Sequence, residues 1–438
     1  MDKILIGFQS VPDFSDNAKA LYEYLRDHHS DRYDFVWLLN GETKVPYLDE
    51  HHIAHIGMTD PDFEQRFSQI LVVFETHFRF IHLKRSYQTW IMLWHGLGMK
   101  RQGILNEYDL ARWAGITHKV DYFITSSELM KVVFAASYDI RADRFLTFGQ
   151  PRNRYLFETP GRNILEEISG RALVNYDKVL IYLPTFRTVG DRSDGVAHFD
   201  NALGLTPYDE AELEEFLSER RYLLVVKMHP SEDSVPQFSA TDSVLYLRDS
   251  DMVANTVCVN EILNAADMLI TDYSSVHADF LLLDRPVLFI HTDKEEYRKS
   301  RGVLFEDFDL WFPGPSVTDL DAFEAETERL LSDSTYFQAE RLRFNKVVNE
   351  DRMDPCKDIA EFLSDILPMD RSTLTRMQDL QAEVSRLKDT VAQLTSGSNG
   401  SRSASDLQAE LDRVYGSRSW RFASNLARPA RRLRHVIG

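Results

Sequence analysis

Two histidines, His95 and His229, each follow an apolar run that has the character of a buried strand. His95 stands in IMLWHGLGMKRQG and His229 in YLLVVKMHP, and glycine or proline breaks each run directly afterwards. In open α/β sheets, ligands bind beyond the carboxyl ends of the strands. Two such sheets facing each other would place both imidazoles in one cleft. A neutral imidazole can accept a proton and a charged one can stabilise a phosphate, so the pair predicts group transfer from a phosphorylated donor.

A second constellation follows the apolar segment MLIT, in ADMLITDYSSVHADFLLLDRP. Ser274 and Ser275 stand where a helix is expected to begin, and exposed helix-end amides together with two hydroxyls suit a phosphate. Asp279 follows Ser275 by one helical turn, on the same face, where its carboxylate can orient a hydroxyl of the donor. Capping of the helix by the serines is the alternative interpretation.

Several basic and small residues accompany these segments. Gly96 and Gly98 allow backbone to approach a ligand closely, and Lys100 and Arg101 add positive charge. The segments LTFGQPRNRYLF and LIYLPTFR both read as a strand, a proline turn and an arginine, and arginine forks match phosphate oxygens.

No metal site is expected from the sequence. Asp249-Ser-Asp251 matches the DxD pattern of metal-dependent sugar transferases, but it falls on a predicted loop away from the histidine segments. We therefore interpret it as a solvated turn and expect neither a metal nor a cofactor.

The elements that must position these residues alternate between strands and helices, which predicts parallel sheets with crossover helices. We expect one α/β domain over residues 1–162 and a second over 163–368, with a hinge near Arg162. Helices are expected over Ser15–His28, Ser126–Ser137, Asp209–Arg220, Val259–Ala266, Asp319–Leu331 and Ser334–Leu367. The predicted strands are Ile4–Phe8, Asp34–Leu39, Ile70–Phe74, Thr89–Trp94, Tyr122–Thr125, Lys178–Leu183, Tyr222–Met228, Val244–Leu247, Met268–Thr271 and Val287–Phe289.

Composition limits the class of protein. The 438 residues suffice for two full cores, and the two cysteines stand in no metal-ligand spacing, which fits a reducing cytoplasm. No apolar run suits a signal peptide or a membrane-spanning helix. The net charge of −19 argues against non-specific nucleic-acid binding.

The C-terminal part has a different character. Met377, Leu380, Val384, Leu387, Val391 and Leu394 form a heptad pattern, so residues 372–395 predict a coiled coil and self-association. An amphipathic helix that folds back on the body would give the same pattern. Residues 396–405 are a Ser/Gly-rich linker, and 406–438 predict a basic amphipathic tail whose seven arginines from Arg413 onward would bind an anionic membrane surface.

Taken together and in this order, the segments WHG…MK, FGQPRNRYLF, YLPTFR, VKMHP, ITDYSSVHADFLLLDRPVLF, EEYRKSRGVLFE and PGP resemble the CDP-glycerol glycerophosphotransferases, the teichoic-acid primases and polymerases of bacterial walls. The resemblance covers about residues 65 to 365. It implies a GT-B-like fold, two Rossmann-type domains facing a cleft. It also implies transfer of glycerol phosphate from CDP-glycerol to a hydroxyl of a lipid-linked acceptor, with release of CMP, by a cytoplasmic enzyme on the inner face of the plasma membrane.

The resemblance also assigns roles. His95 looks like the base that deprotonates the acceptor hydroxyl, and His229 resembles the histidine that stabilises the phosphate in transfer. The positions that match donor contacts are Gly96, Arg152, Thr185, Lys227, Ser274, Ser275 and Asp279.

One departure from the family pattern keeps the substrate open. The family usually reads WHGTPLK, whereas Leu97 and Gly98 stand here in place of threonine and proline. Ribitol phosphate, or another CDP-activated polyol, therefore stays an alternative to glycerol phosphate. A nucleotide-sugar glycosyltransferase of the same fold is a second alternative. A membrane-tethered scaffold is a third, although a scaffold has no use for the two histidine segments.

Overall fold

The computed structural model describes most of the chain up to Leu367, namely residues 3–41, 45–106, 115–189, 192–196, 199–229, 240–350 and 354–367. The predicted coiled coil at 372–395, the linker at 396–405 and the tail at 406–438 lie outside the described residues.

The N-terminal half forms one parallel sheet of seven strands in the order β3-β2-β1-β4-β5-β6-β7. Its strands are β1 (Ile4–Gln9), β2 (Tyr33–Leu39), β3 (His55–Gly57), β4 (Val72–Glu75), β5 (Thr89–Met92), β6 (Tyr122–Thr125) and β7 (Phe145–Thr147). The order reverses at β1, which pairs with β2 on one side and β4 on the other. The strands are almost wholly buried, as expected where helices cover both faces of a parallel sheet.

The second half repeats this architecture with six parallel strands in the order β12-β11-β8-β13-β14-β15. The strands are β8 (Lys178–Leu183), β11 (Tyr222–Val226), β12 (Val244–Tyr246), β13 (Met268–Thr271), β14 (Val287–Ile290) and β15 (Ser316–Val317). A separate two-stranded hairpin, β9 (Thr188–Val189) and β10 (Arg192–Ser193), lies between β8 and β11 in the chain. The expectation of two Rossmann-type α/β units is confirmed.

Helices connect the strands and begin at recognisable caps. Asp209 accepts hydrogen bonds from the amides of Ala211 and Glu212, and Asp319 accepts one from Ala322. Among the described residues, no helix has the length and apolar character needed to cross a membrane. The helices are Asp16–His29, Pro46–Glu50, Phe63–Phe67, Glu128–Tyr138, Tyr155–Glu158, Gly161–Ser169, Glu210–Glu219, Asp249–Ala254, Val259–Ile262, Val276–Phe280, Lys294–Arg301, Leu320–Ser332, Gln338–Val348 and Pro355–Ile366.

The segment around Arg162, expected to be a hinge, is helical and packs against the second domain. It belongs to the helix Gly161–Ser169. A Cβ on Gly161 would overlap Asn264 Oδ1, so the glycine allows close packing against the second domain. Asn264 Nδ2 also donates to the carbonyl of Thr159, at 2.8 Å.

The single helix expected over Ser334–Leu367 is two helices, Gln338–Val348 and Pro355–Ile366. The second packs on the first domain, because Cys356, Ile359 and Leu363 share a core with residues of β1 and β4. Residues 354–367, expected in the second domain, therefore complete the first one.

The two domains contact each other through a backbone bridge and through a buried ion pair. Lys100 forms an antiparallel bridge with Val303, so the segment after β5 pairs with a loop of the second domain. Lys19, on the first long helix, is buried and donates to Glu261 Oε2 at 2.8 Å across the interface. These contacts bring the carboxyl ends of the two sheets together.

Candidate functional site

The predicted site residues all follow the carboxyl ends of parallel strands. His95 and Gly96 come after β5, Arg152 after β7, and Thr185 after β8. Lys227 and His229 come after β11, and the segment Ser274–Asp279 follows β13. This is the place where ligands bind in open α/β sheets.

His95 is held in the tautomer that a general base needs. Its Nδ1 lies 3.0 Å from the carbonyl oxygen of Thr76, which can only accept, so the proton of the neutral ring resides on Nδ1. Nε2 then carries the lone pair that can take a proton from a substrate hydroxyl. Burial lowers the pKa of His95 below its usual 6.5, more than the Thr76 carbonyl and Asp16 raise it, and nearby Arg152 lowers it further. The imidazole is therefore neutral at pH 7.

Gly96, in the loop that carries His95, lies close to Ser275 of the second domain. A Cβ at this position would lie 2.8 Å from Ser275 Oγ, closer than real Cβ contacts come. Ser275 precedes the helix Val276–Phe280, but its side chain makes no capping hydrogen bond. Its hydroxyl faces the first domain, so simple helix capping does not explain this serine.

Arg152 connects the two domains beside the loop that carries His95. Its Nη1 donates to Asp16 at 2.8 Å and to the carbonyl of His95 at 2.9 Å, and its Nη2 lies 2.8 Å from Asp279. Burial alone would lower the pKa of Arg152, but Asp16 and Asp279 raise it well above the usual value. The fork expected to meet phosphate here holds two carboxylates, and Asp279 is likewise engaged, with Asn260 donating to it at 3.2 Å.

Thr185 is fixed by a buried ionic cluster beneath the cleft. Its amide donates to Asp272 Oδ1 at 2.7 Å, and Asp272 pairs with Arg187 at 2.9 Å. Arg187 also pairs with buried Asp293 at 2.7 Å. The Arg187 guanidinium, expected from its motif to suit phosphate, thus binds two carboxylates and supports the site from below.

Lys100 enters the cleft beside Thr185, and Arg101 does not. Lys100 Nζ lies 3.3 Å from Thr185 Oγ1, whereas Arg101 is exposed and packs against Gly302. Burial lowers the pKa of Lys100 to about 7, helped by Arg301. Burial disfavours the charged form of Lys100, and a bound anion would stabilise that form. The Lys100 ammonium is therefore suited to receive an anion.

His229 lies among cationic groups. Burial lowers its pKa to about 4, and Lys227 and Lys100 contribute in the same direction. Lys227 pairs with Asp249 at 2.8 Å. Asp249 begins the helix Asp249–Ala254, so the prediction of a solvated turn at the DxD pattern is wrong. The described residues contain no cluster of His, Cys, Asp or Glu suited to a metal ion.

A cavity of about 200 Å³ opens beside this site. It lies between the loop 11–16 of the first domain and the segment 249–260 of the second. Arg152 and Lys227 both line it, which connects the cavity to the charged part of the cleft.

Sequence reasoning missed four residues of the site: Asp16, Thr76, His77 and Asp272. The ring of His77 lies parallel to that of His95, with centroids 3.9 Å apart. Thr76 and His77 directly follow β4, and Asp272 directly follows β13. Ligands bind beyond strand ends, so the same rule that identified His95 after β5 would have found Thr76 and His77 after β4 and Asp272 after β13.

Comparison with known proteins shows which family the chain belongs to. Residues 1–352 match the profile of the family described as CDP-Glycerol:Poly(glycerophosphate) glycerophosphotransferase, so the expected resemblance extends to residue 1. The teichoic acid glycerol-phosphate primase of Bacillus spizizenii is 29% identical over 72% of this chain and 84% of its own. The teichoic acid ribitol-phosphate primase of the same organism is 27% identical over 75% of this chain and 85% of its own.

A solved structure gives the same picture of the fold. The wall teichoic acid polymerase TagF superposes with a TM-score of 0.68 at 21% identity, over 83% of this chain and 88% of that one. The GT-B-like arrangement expected of the described residues is therefore confirmed, as is the expected enzyme class, a phosphotransferase. The chain belongs to the CDP-glycerol:poly(glycerophosphate) glycerophosphotransferase family.

Proposed function

We propose that this enzyme transfers a polyol phosphate from a CDP-activated donor to a hydroxyl of a lipid-linked or polymeric acceptor, with release of CMP. The observation that carries the proposal is the meeting of the His95–Gly96 loop with Ser275 across the domain interface. A base on one domain then faces a hydroxyl-bearing loop on the other. Such an arrangement suits an acceptor bound on one side and a phosphorylated donor on the other.

The reaction is an in-line displacement at phosphorus. His95 Nε2 takes the proton of the acceptor hydroxyl, and the freed oxygen attacks the phosphorus that carries the polyol. The bond from that phosphorus to the oxygen bridging it to the nucleotide phosphate breaks, and CMP leaves with the bond's electron pair. Positioning and neutralisation of charge are the main contributions expected of the protein.

Residues of the second domain, together with Lys100 of the first, would neutralise the negative charge of the donor phosphates. Lys100, Lys227 and His229 follow strand ends around the cleft, and Ser274, Ser275 and Thr185 offer hydroxyls. An arriving phosphate favours the charged forms of Lys100 and His229, because opposite charge raises both pKa values from their lowered positions. These residues support transfer that needs no metal ion.

Arg152 and Asp279 are assigned a donor contact by family resemblance. The ion pair between Arg152 and Asp279 and the hydrogen bond from Arg152 to the His95 carbonyl also support a role in positioning the base. Gly96 has no Cβ and so leaves room for Ser275 Oγ, which is proposed to contact the donor.

Glycerol phosphate is the first candidate for the transferred unit, since the family description names CDP-glycerol. Ribitol phosphate is the alternative, since a ribitol-phosphate primase is about as similar as a glycerol-phosphate primase. The product would be a teichoic-acid or capsule-type polymer. The acceptor's lipid would keep the enzyme at the inner face of the membrane, with the basic tail as the proposed anchor and the coiled coil as the proposed site of self-association.

The test is release of CMP by the purified full chain from CDP-glycerol or CDP-ribitol, each with a lipid-linked acceptor. UDP-N-acetylglucosamine serves as the control for a glycosyltransferase. We expect CMP release with one CDP-polyol and no turnover of the UDP-sugar. Turnover of the UDP-sugar alone would contradict the proposal.

A further inference from the structure

A second histidine lies against the proposed base. The rings of His77 and His95 are 3.9 Å apart between centroids and only 3° from parallel. Both residues are half-buried. His77 follows β4 and His95 follows β5, and these strands are direct neighbours, with Glu75 paired to Met92. The stack is thus set by the sheet itself and by two short loops at its carboxyl edge.

One residue, Thr76, binds both rings. Its carbonyl oxygen accepts from Nδ1 of His95 at 3.0 Å, and its hydroxyl lies 2.7 Å from Nδ1 of His77. Thr76 is fully buried, and its amide donates to the carbonyl of Gln9 on β1. The two imidazoles are therefore fixed relative to each other by backbone that cannot shift without disturbing the sheet.

Buried Glu75 fixes the loop that carries this pair. Its carboxylate accepts from the amide of Phe80 at 2.6 Å and from Nε1 of Trp90 at 2.7 Å. These bonds close the loop 76–80 against the first domain. The loop that carries His77 is thus tied to buried groups of the first domain.

The chemistry of the base requires such support. A hydrogen bond at Nδ1 does not by itself stop the imidazole from tilting about the line through that bond, which would move Nε2 away from the acceptor hydroxyl. The Trp94 ring also contacts His95, at 4.2 Å between centroids, but it is inclined by 33° and does not stack flat. A flat ring stacked on one face prevents the tilt. Small errors in the position of a reacting group are costly, because proximity and alignment supply much of the rate.

We propose that His77 is a positioning residue for His95: its ring, stacked on the base, holds Nε2 toward the acceptor hydroxyl and shields the base from water. This inference rests on the proposed function. The flat aromatic face provides the support, so phenylalanine should replace His77 and alanine should not.

The stack also affects the titration of the base. His95 is faced by Asp16, Arg152, the Thr76 carbonyl and the rings of His77 and Trp94, and burial is the largest cause of its lowered pKa. Removing the His77 ring admits water to one face of His95. The charged form is then less disfavoured, so the pKa of His95 rises toward 6.5, and the acid limb of the kcat/KM profile moves to higher pH with it.

The experiment compares H77A and H77F in the full-length enzyme. We expect H77A to lower kcat by roughly tenfold or more with little change in the KM for donor, since a misaligned base affects the chemical step. H77F should keep most of the wild-type kcat. Thermal unfolding and calorimetric binding of CMP check the fold, and H77L, which fills the space without a flat ring, replaces H77A if that variant is unstable.

NMR titration of His95 in the same proteins separates this inference from the proposed function, because it needs no substrate. We expect the pKa of His95 to rise in H77A and to stay near the wild-type value in H77F. An unchanged pKa and kcat in H77A would overturn the inference. Equal loss of kcat in H77A and H77F, with the pKa unchanged in both, would also overturn it, because the ring nitrogens of His77 would then be what matters. If the wild-type enzyme releases no CMP, the proposed function is refuted. The NMR titration of His95 then still decides whether the His77 ring supports His95.

Discussion

The contact between Gly96 and Ser275 allows a sharp test of the proposed site. The backbone of Gly96 does not have a positive φ, so alanine fits its conformation. The added Cβ would lie 2.8 Å from Ser275 Oγ, while the next atom, Ser275 Cβ, is an ordinary 3.8 Å away. We therefore expect G96A to fold normally and to displace only the Ser275 hydroxyl.

The size of the effect follows from that hydroxyl. A hydrogen bond to a charged group contributes about 1.5–3 kcal/mol, so losing it from a donor phosphate should weaken donor binding roughly 10- to 150-fold. S275A should weaken binding by a similar factor. In the double variant the Cβ of residue 96 meets only the Cβ of residue 275, so the two losses should not add.

The assay is calorimetric titration with CDP-glycerol and CDP-ribitol for the wild type, G96A, S275A and the double variant. Gly98 provides the matched control, because a Cβ there would lie 2.5 Å from Val133 in the core. G98A should lower thermal stability instead of acting through Ser275. Unchanged donor affinity in G96A, or strictly additive losses in the double variant, would refute the reasoning.

Four further predictions concern catalysis and the tail. H95A and H229A should each lower turnover by roughly a hundredfold or more without unfolding the protein, measured as CMP release beside thermal unfolding; near-normal turnover in a folded variant would contradict the assigned role. The kcat/KM profile should fall below pH 6.5 as His95 takes up a proton, and above pH 7 as Lys100 loses one. K100R should lose the alkaline limb, because guanidinium stays charged. Transfer should tolerate EDTA; loss of activity restored by Mg²⁺ or Mn²⁺ would return attention to Asp249. Truncation after Ser405 should abolish salt-sensitive sedimentation with anionic vesicles while soluble acceptor analogues are still used.

Much of the frame could be predicted from the sequence because its central strands are continuous apolar runs. The bounds of β6, β8 and β13 agree with their predictions, and the remaining predicted strands differ by a few residues at their ends. The strands β3, β9, β10 and β15 were not predicted, since two or three residues show no periodicity, and β7 was expected only as the strand that opens LTFGQPRNRYLF, without bounds. The break between the last two helices was also missed, because packing of Pro355–Ile366 on the first domain depends on residues distant in the chain.

The site could be predicted only in part, for a related reason. The strand-end rule and the family motif placed His95 and Ser275 each just beyond a strand end, and the structure brings Gly96 and Ser275 together. The partners of Arg152 and Arg187 could not be foreseen, because a fork suits carboxylates as well as phosphates, and Asp16, Asp279 and Asp293 lie far away in sequence. The lowered pKa values of Lys100 and His229 likewise come from burial that only the assembled domains produce.

The position of Arg152 has a consequence for the order of events in catalysis. One guanidinium holds the backbone of the base and the carboxylate of the donor domain at once. If the two domains moved apart, we would expect Asp279 to leave this contact and the support of His95 to weaken. A donor bound to separated domains would then meet no aligned base, and we would expect its hydrolysis by water to be slow. The activated polyol would thus be kept for the acceptor, because the domain contact that supports the base would also be the one that encloses the donor.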